Sequence, residues 1–514
     1  MSRRRSALPL FRIRCFLTAA TLIMLTPLLG PATLAQAGTV TLSGERLSLP
    51  QSPVFVAYPP DGHRVAHAYV LVEGSVLPGA DLRIGGRAVP VGADGLFVEW
   101  VPLRPGLNPL RVTSHRGGQT WSATLRVIRA AAPVRPPAPL QTHAPRVAEV
   151  VDPGQGWGVN TVRSAWEDDA GRAVLYARQG QRVLVTGQRG DLSRVQLADG
   201  RPLWATRSTL RLLPAWTTDL TAQVGGPIWV SATAGDWHQL RLPTVGRVPF
   251  VLSEIPGGLR LSLVGAQSVG AWTPPSGLNL RPWQEGAALH FDLSLPRPLH
   301  GFAAGYQAAE QGDELVLRFR EAPAPGPLAG RHIVLDAGHG GSEKGGAGPL
   351  RVPEKDIVLP IALRAAQLLR AEGATVTLTR QGDVTVPLYD RPQLAERVGA
   401  DVLVSVHANA IPDGKDPRTV RGAGSYFSYT QSRPLADALQ RSLVAAFPAV
   451  GDDGLHPQAN LALTRPTSQP SVLLELGYLT DPQNLRTLMS AQGQEGYAQA
   501  IAAGLRAYFA GLPD

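Results

Sequence analysis

The sequence predicts a multidomain chain in which N-terminal all-β modules precede a C-terminal α/β domain with a mainly parallel sheet covered by helices on both faces. Three observations carry this expectation. The chain has 514 residues, enough for three to five domains at ~100–200 residues each. It holds 55 Gly and 46 Pro, so turns and linkers are frequent and a pure helical bundle is excluded. The pattern also changes after Gly330, where short alternating strands separated by Gly, Pro and Asp give way to apolar strands that alternate with helical stretches.

Residues 1–37 read as an export leader. Arg3, Arg4, Arg5, Arg12 and Arg14 precede an apolar run from Cys15 to about Leu29, and Ala35-Gln36-Ala37 supplies a small-x-small cleavage site. The apolar run is short for a spanning helix, which needs ~20 residues, and Pro27 interrupts it. No later stretch is long and apolar enough to span a bilayer, so no stable membrane span is expected after leader removal. The leader carries five Arg and no acid, so the net charge of +9 falls to +4 without it. That modest excess, with no nucleic-acid-reading motif beside it, argues against a nucleic-acid partner. Cys15 is the single cysteine, so the mature chain has no disulfide and no thiolate ligand or nucleophile. Any metal must be held by His, Asp or Glu.

Residues 38–130 read as a small β-sandwich of alternating strands, with Asp94-Gly95 as a hairpin signal. The run from Gly74 to Ile84, with Asp94-Gly95-Leu96-Phe97 and Gly106-Leu107-Asn108, resembles bacterial immunoglobulin-like modules. Residues 131–147 form a Pro-rich spacer. Residues 148–215 are again β-rich, and Gln181–Thr186 followed by Arg194–Trp204 resembles a bacterial SH3-like barrel. Residues 216–322 resemble the β-rich AMIN-type targeting domain, and residues 323–330 form a second linker. Trp216, Trp229, Trp237, Trp272 and Trp283 lie in or beside this segment; core packing is their ordinary role and carbohydrate stacking the alternative.

The domain from 331 to 514 starts with an apolar strand, Ile333-Val334-Leu335, and a glycine-rich loop. Ile357, Ile361, Ala365, Leu368 and Leu369 then recur at helical spacing, with Pro360 tolerable only if the helix starts just before it. Strands are expected at 375–379, 401–406 and 472–476, and helices near 388–398, 432–447 and 496–510. Functional side chains of such a sheet gather at strand ends.

Four polar residues meet that expectation. His339 follows the first strand, His407 follows the 401–406 strand, Glu354 opens the first long helix, and Glu475 interrupts an apolar strand. Singly, each histidine reads as a satisfied structural residue and Glu354 as a first-turn residue favoured by the helix dipole. Glu475 is harder to dismiss, because an unpaired carboxylate among Val and Leu is costly unless a nearby dication relieves it. Two His and one carboxylate with an open fourth position form a catalytic zinc set, and a further Glu is placed to move protons. No H-E-x-x-H or G-x-S-x-G motif competes.

At these residues the chain resembles the catalytic domain of zinc N-acetylmuramoyl-L-alanine amidases. The likeness rests on Asp336-Ala337-Gly338-His339-Gly340-Gly341, Glu354-Lys355-Asp356, Leu378-Thr379-Arg380, Ser405-Val406-His407-Ala408-Asn409 and Leu474-Glu475-Leu476-Gly477-Tyr478-Leu479. The resemblance implies one Zn2+ per catalytic domain held by His339, Glu354 and His407, with Glu475 as catalytic acid/base and Asn409 as a substrate contact. His332 and His456 are expected to be structural. The implied partner is peptidoglycan, cut between N-acetylmuramic acid and L-alanine, in the periplasm or cell wall, with the N-terminal modules as wall-targeting contacts. Two alternatives remain open at this point: an amidase-like binding protein with a degenerate site, and a zinc peptidase acting on cross-bridges.

One departure bears on regulation. Some relatives carry a long inhibitory helix after the His-Ala-Asn stretch; here only Ala410 to Gly424 intervenes, broken by Pro412, Gly414, Pro417 and Gly422. Self-inhibition of that kind is not expected, and activity would be limited by localisation.

Overall fold

Alternation of inward apolar and outward polar side chains builds the N-terminal part. Along Gly106–Arg116, residues Asn108, Leu110, Val112 and Ser114 are buried while Pro109 and Arg111 are exposed. This strand lies in a five-stranded sheet facing a three-stranded one made of Val54–Tyr58, Tyr69–Val76 and Leu96–Pro102. Val70, Val72, Leu82, Phe97, Val112 and Val127 fill the space between them. Asp94-Gly95 does turn the chain, with Gly95 at φ 86°, but the flanking strands Arg87–Val89 and Leu96–Pro102 belong to different sheets. The expected hairpin is therefore a crossover between sheets.

The structure is a computed structural model that describes residues 53–131, 138–152, 154, 156–232 and 237–513. The leader read over 1–37, with Cys15, lies outside the described residues. The described residues form one compact unit.

A seven-stranded sheet follows, built around Trp166, Val183, Val185 and Val195. One of its strands, Gln141–Val150, pairs on both sides with Arg182–Arg189 and Leu210–Leu212. The second half of the segment read as a spacer is thus a paired strand. Pro145 is accommodated there beside a register shift opposite Val185 and Gly187. Residues 222–321 form two further sheets around Leu240, Leu261, Phe291 and Phe319. Trp229 stacks on Phe319 and Trp272 on Phe291, so these two tryptophans pack against the core. Trp216 is 82% exposed.

The C-terminal sheet has the strand order Thr375–Leu378, His332–Ala337, Val402–Asn409, Ser471–Tyr478, Ala423–Tyr426, Asp452–His456. Its first four strands run parallel, Ala423–Tyr426 runs antiparallel to Ser471–Tyr478, and the edge strand Asp452–His456 is parallel to its neighbour. Five helices accompany it among the described residues: α1 Glu354–Ala371, α2 Asp390–Arg397, α3 Arg433–Ala446, α4 Pro482–Met489 and α5 Ala491–Ala510.

The helices are not shared evenly between the two faces. Ile357, Ile361 and Ala365 of α1, Leu439 of α3 and Ile501 of α5 pack with Leu335, Val404, Val406 and Leu474 on one face. The other face, bearing Val334, Leu403 and Leu473, is covered by Ala395 of α2 and by Ala462 and Leu463. The preceding β-module also reaches this side, where Phe302 N–H donates to Thr467 O at 2.7 Å. A helix of eight residues, about 12 Å long, is too short to shield the face alone. The expectation of a sheet sandwiched by helices therefore holds fully for one side only.

Three local expectations also change. Pro360 is the seventh residue of α1, beyond the first turn, so it removes the amide that would have bonded the carbonyl of residue 356. The Val402–Asn409 strand ends three residues later than expected and contains His407. The terminal helix starts five residues early, at Ala491, where the Ser490 hydroxyl accepts from Gly493 N–H at 2.9 Å.

Candidate metal-binding active site

The first strand ends at Ala337 and delivers His339 in the left-handed region, at φ 59°. A non-glycine residue there is strained and persists only when its surroundings hold it. Two buried guanidinium groups do so. Arg380 donates to Ala337 O at 2.9 Å and to Gly338 O at 2.8 Å, while Arg391 donates to Ala337 O at 2.9 Å and to His339 O at 2.7 Å. Lys355 holds the glycine-rich turn beyond, reaching Gly341 O at 2.9 Å and the Asp383 carboxylate at 2.5 Å.

Gly338 is required beside this loop. A Cβ on it would lie 2.6 Å from both ring nitrogens of His407. The absence of a side chain lets the second histidine ring approach the first, and their centroids are 4.9 Å apart at 81°.

Glu354 is buried at the first position of α1, where the helix dipole favours a carboxylate. Its Oε1 accepts from His407 Nδ1 at 2.8 Å and from Ala408 N–H at 3.0 Å. Its Oε2 accepts from Gly346 N–H at 2.8 Å and lies 3.1 Å from His339 Nε2. Burial alone would raise this carboxyl, but the two histidines hold it well below the ordinary carboxylate range. One ligand atom from each of His339, Glu354 and His407 falls within 4.8 Å of the others. This is the convergence of nitrogen and oxygen donors that a divalent cation requires, and the donor set suits zinc.

Glu475 lies on the next strand as the register partner of His407. On its other side it faces Gly424. Its Oε2 is buried and has no hydrogen-bond partner among the described residues. Burial, reinforced by the charges of Glu354 and Asp453, pushes this carboxyl well above its usual range. A carboxyl whose proton affinity is raised by burial beside a cluster of polar groups is a candidate for general acid/base work.

Beneath the site lies a buried polar layer to which sequence reasoning gave no role. Asp336 accepts from Arg391 Nη1 at 2.8 Å, Ser405 Oγ at 2.5 Å and Thr379 Oγ1 at 2.6 Å. Burial opposes ionisation, yet the neighbouring Arg391 guanidinium and these hydroxyls keep Asp336 below the ordinary range. Part of the signal was present in the residue types, since Asp336 and Ser405 each interrupt a run of apolar strand residues, whereas Thr379 follows a strand that already alternates Thr with Val and Leu. Asp453 is a second addition. Its Oδ2 accepts from Tyr478 OH at 3.0 Å and lies 3.2 Å from His456 Nε2, and the His456 ring stacks on Tyr426 with centroids 4.1 Å apart.

The remaining residues singled out in the sequence fall at different distances from this centre. Asn409 ends the His407 strand, and its carbonyl accepts from Leu479 N–H at 2.7 Å. His332 is remote in register and bonds Thr377 at 2.9 Å. The segment between Ala410 and Gly422 contains no helix. It is held from outside: Asp413 accepts from Tyr58 OH at 2.8 Å and lies 2.9 Å from His63 Nε2, both residues of the N-terminal sandwich.

Comparison with known proteins bears on the same segment. Residues 333–507 match the family model described as N-acetylmuramoyl-L-alanine amidase. The chain is 32% identical over 220 residues to N-acetylmuramoyl-L-alanine amidase AmiA of Escherichia coli (strain K12), a match covering 35% of this chain and 76% of that protein. It is 33% identical over 211 residues to the probable cell wall amidase LytH of Staphylococcus saprophyticus, covering 41% of this chain and 67% of that one. Among solved structures, amidase AmiC2 of Nostoc punctiforme is 35% identical and matches 34% of this chain and 96% of its own, with a TM-score of 0.33. With its sequence matched to this family across the domain that holds His339, Glu354, His407 and Glu475, the chain belongs to the N-acetylmuramoyl-L-alanine amidases.

Proposed function

We propose that this protein is an exported peptidoglycan hydrolase that cleaves the amide between the lactyl group of N-acetylmuramic acid and the L-alanine of the stem peptide. The observation that carries the reading is the convergence of His339, Glu354 and His407 beside the unpartnered carboxyl of Glu475. His339, Glu354 and His407 would hold one zinc ion. Such a cation supplies, when bound, Lewis-acid activation of water and of the scissile carbonyl.

The chain's own residues do the rest. Glu475 removes a proton from the attacking water and returns it to the departing alanine nitrogen, so its burial sets its basicity. Arg380 and Arg391 fix the carbonyls of residues 337–339 and thereby the ring of His339. Asn409, at the end of the His407 strand, would contact the substrate. The three β-modules deliver the domain to the wall, in the periplasm or outside the cell, and no nucleic acid is involved.

Purified peptidoglycan distinguishes this reading from its rivals. Release of intact stem peptides with free L-alanine amino termini, lost on chelation and in Glu475→Ala, is the expected result. New amino groups within the peptides, with muramic acid still attached, would instead identify a cross-bridge peptidase. Binding without release would identify a wall-binding protein.

A further inference from the structure

A cavity of about 630 Å³ opens where the seven-stranded sheet, the following β-module and the loops of the C-terminal domain meet. It shares no residue with the metal-binding group. Its size is that of a small-molecule or short-peptide site, which spans roughly 300–1,000 Å³. Three arginines line it, Arg172, Arg178 and Arg465, and no Asp or Glu does among the described residues. Phe250, Phe302 and Tyr429 supply apolar wall.

Arg178 is the unusual member. Its guanidinium donates to Trp157 O at 2.8 Å, to Gly156 O at 3.2 Å and to Asn160 Oδ1 at 3.3 Å, yet its Nε is buried without a partner among the described residues. The charge of Glu396 reaches it, but that carboxylate accepts from the backbone amides of Trp157 and Gly158, each at 2.9 Å, and lies 3.8 Å from Arg318 Nη2. Arg465 is 5% exposed; its Nη2 bonds Tyr389 OH at 3.0 Å and its Nε donates to Leu461 O at 3.2 Å. Arg172 stands at the open rim, 81% exposed, and already pairs with the Asp168 carboxylate at 2.7 Å, so only Arg178 and Arg465 face the cavity without a bonded carboxylate among the described residues. Holding guanidinium groups in an apolar cavity is costly unless an anion pairs with them, and the planar fork of Arg is matched best by a carboxylate.

We propose that this cavity binds a carboxylate-bearing peptide, the free carboxyl groups meeting the arginines and the aliphatic backbone lying against Phe250 and Phe302. The choice of a wall stem peptide as its source rests on the amidase reading; the carboxylate chemistry does not. The site would let the chain hold one peptide of the wall while the metal-binding centre acts on another.

The test is photolabelling of the full chain with a diazirine-bearing stem tetrapeptide that has free carboxylates, set against its fully amidated twin. Labelled residues are located by peptide mass spectrometry, so activity plays no part in the readout. Saturable labelling within 172–178, 250–253 or 458–467 is expected, reduced about tenfold or more by amidation, as loss of a charge-assisted pair implies. Two variants, Arg172→Glu at the exposed rim and Ser253→Trp to fill the cavity, should each remove it while labelling near residues 339–354 persists. Labelling confined to residues 339–354 and 407–409, or unchanged by amidation, overturns the proposal. So does displacement by glycerol phosphate oligomers at lower concentration than by unlabelled peptide, which would assign the cavity to phosphate. If wall hydrolysis fails but the cavity is labelled, the amidase reading falls and this inference stands.

Discussion

Glu475 and His407 are direct register partners on adjacent parallel strands. Their side chains therefore emerge on the same face of the sheet, and the placement of proton carrier and metal ligand is fixed by strand pairing rather than by loop conformation. The polar layer formed by Asp336, Arg391, Ser405 and Thr379 holds the neighbouring strand and loop in place.

Removing the partner that ties this layer together should destabilise the domain. Arg391→Met would leave the buried Asp336 carboxylate without its ion-pair partner and free the carbonyl of His339, while Ala337 O keeps only its bond from Arg380. The expected cost is about 3–5 kcal/mol. Denaturant unfolding measures it, and catalytic activity of the folded fraction should fall as well, because the strained His339 backbone loses its support.

The ligand set predicts metal content. Glu354→Ala removes the carboxylate and also the acceptor of both histidines, and it should reduce bound zinc from one per chain to near zero by elemental analysis. His332→Ala, which removes a ring that bonds Thr377 across the strands and is not one of the three converging donors, should leave zinc content unchanged.

A pH dependence of stability comes from the N-terminal sandwich. Glu73 is buried opposite Tyr58, its Oε2 has no partner among the described residues, and burial pushes its carboxyl up to about 8. Between the ordinary carboxylate value and 8, the folded state holds a proton that the unfolded state has released. Stability contributed at this site therefore falls as pH rises through that window, by on the order of several kcal/mol. Glu73→Gln should raise the Tm at pH 8.5 and change it little at pH 4.5, as thermal unfolding at the two pH values would show.

Much of the C-terminal domain was legible in the sequence. Period-3.6 spacing located α1, and the apolar runs ending in His339 and His407 located two central strands. The site residues stood out because charged groups interrupt these regular patterns. The less visible parts have physical reasons. Ala423–Tyr426 and Asp452–His456 are short, with Gly424, Gly454 and Asp residues in place of a β-branched run. α4 is only eight residues long and starts with Pro482. Arg391 reads as an ordinary polar position of a surface helix, and its burial depends on contacts with a strand 55 positions away. Likewise, the pairing of Gln141–Val150 depends on tertiary partners and overrode a composition that suggested a spacer.

The central claim is that three residues hold a metal and a fourth moves the proton. The most direct measurement is bound zinc and stem-peptide release on the same preparations of the wild type and Glu475→Gln. The account predicts one zinc in both, with release in the variant lower by about 10²–10⁴-fold, the usual contribution of a general acid/base. Glu475→Gln protein that keeps its zinc and releases stem peptides at the wild-type rate would contradict it.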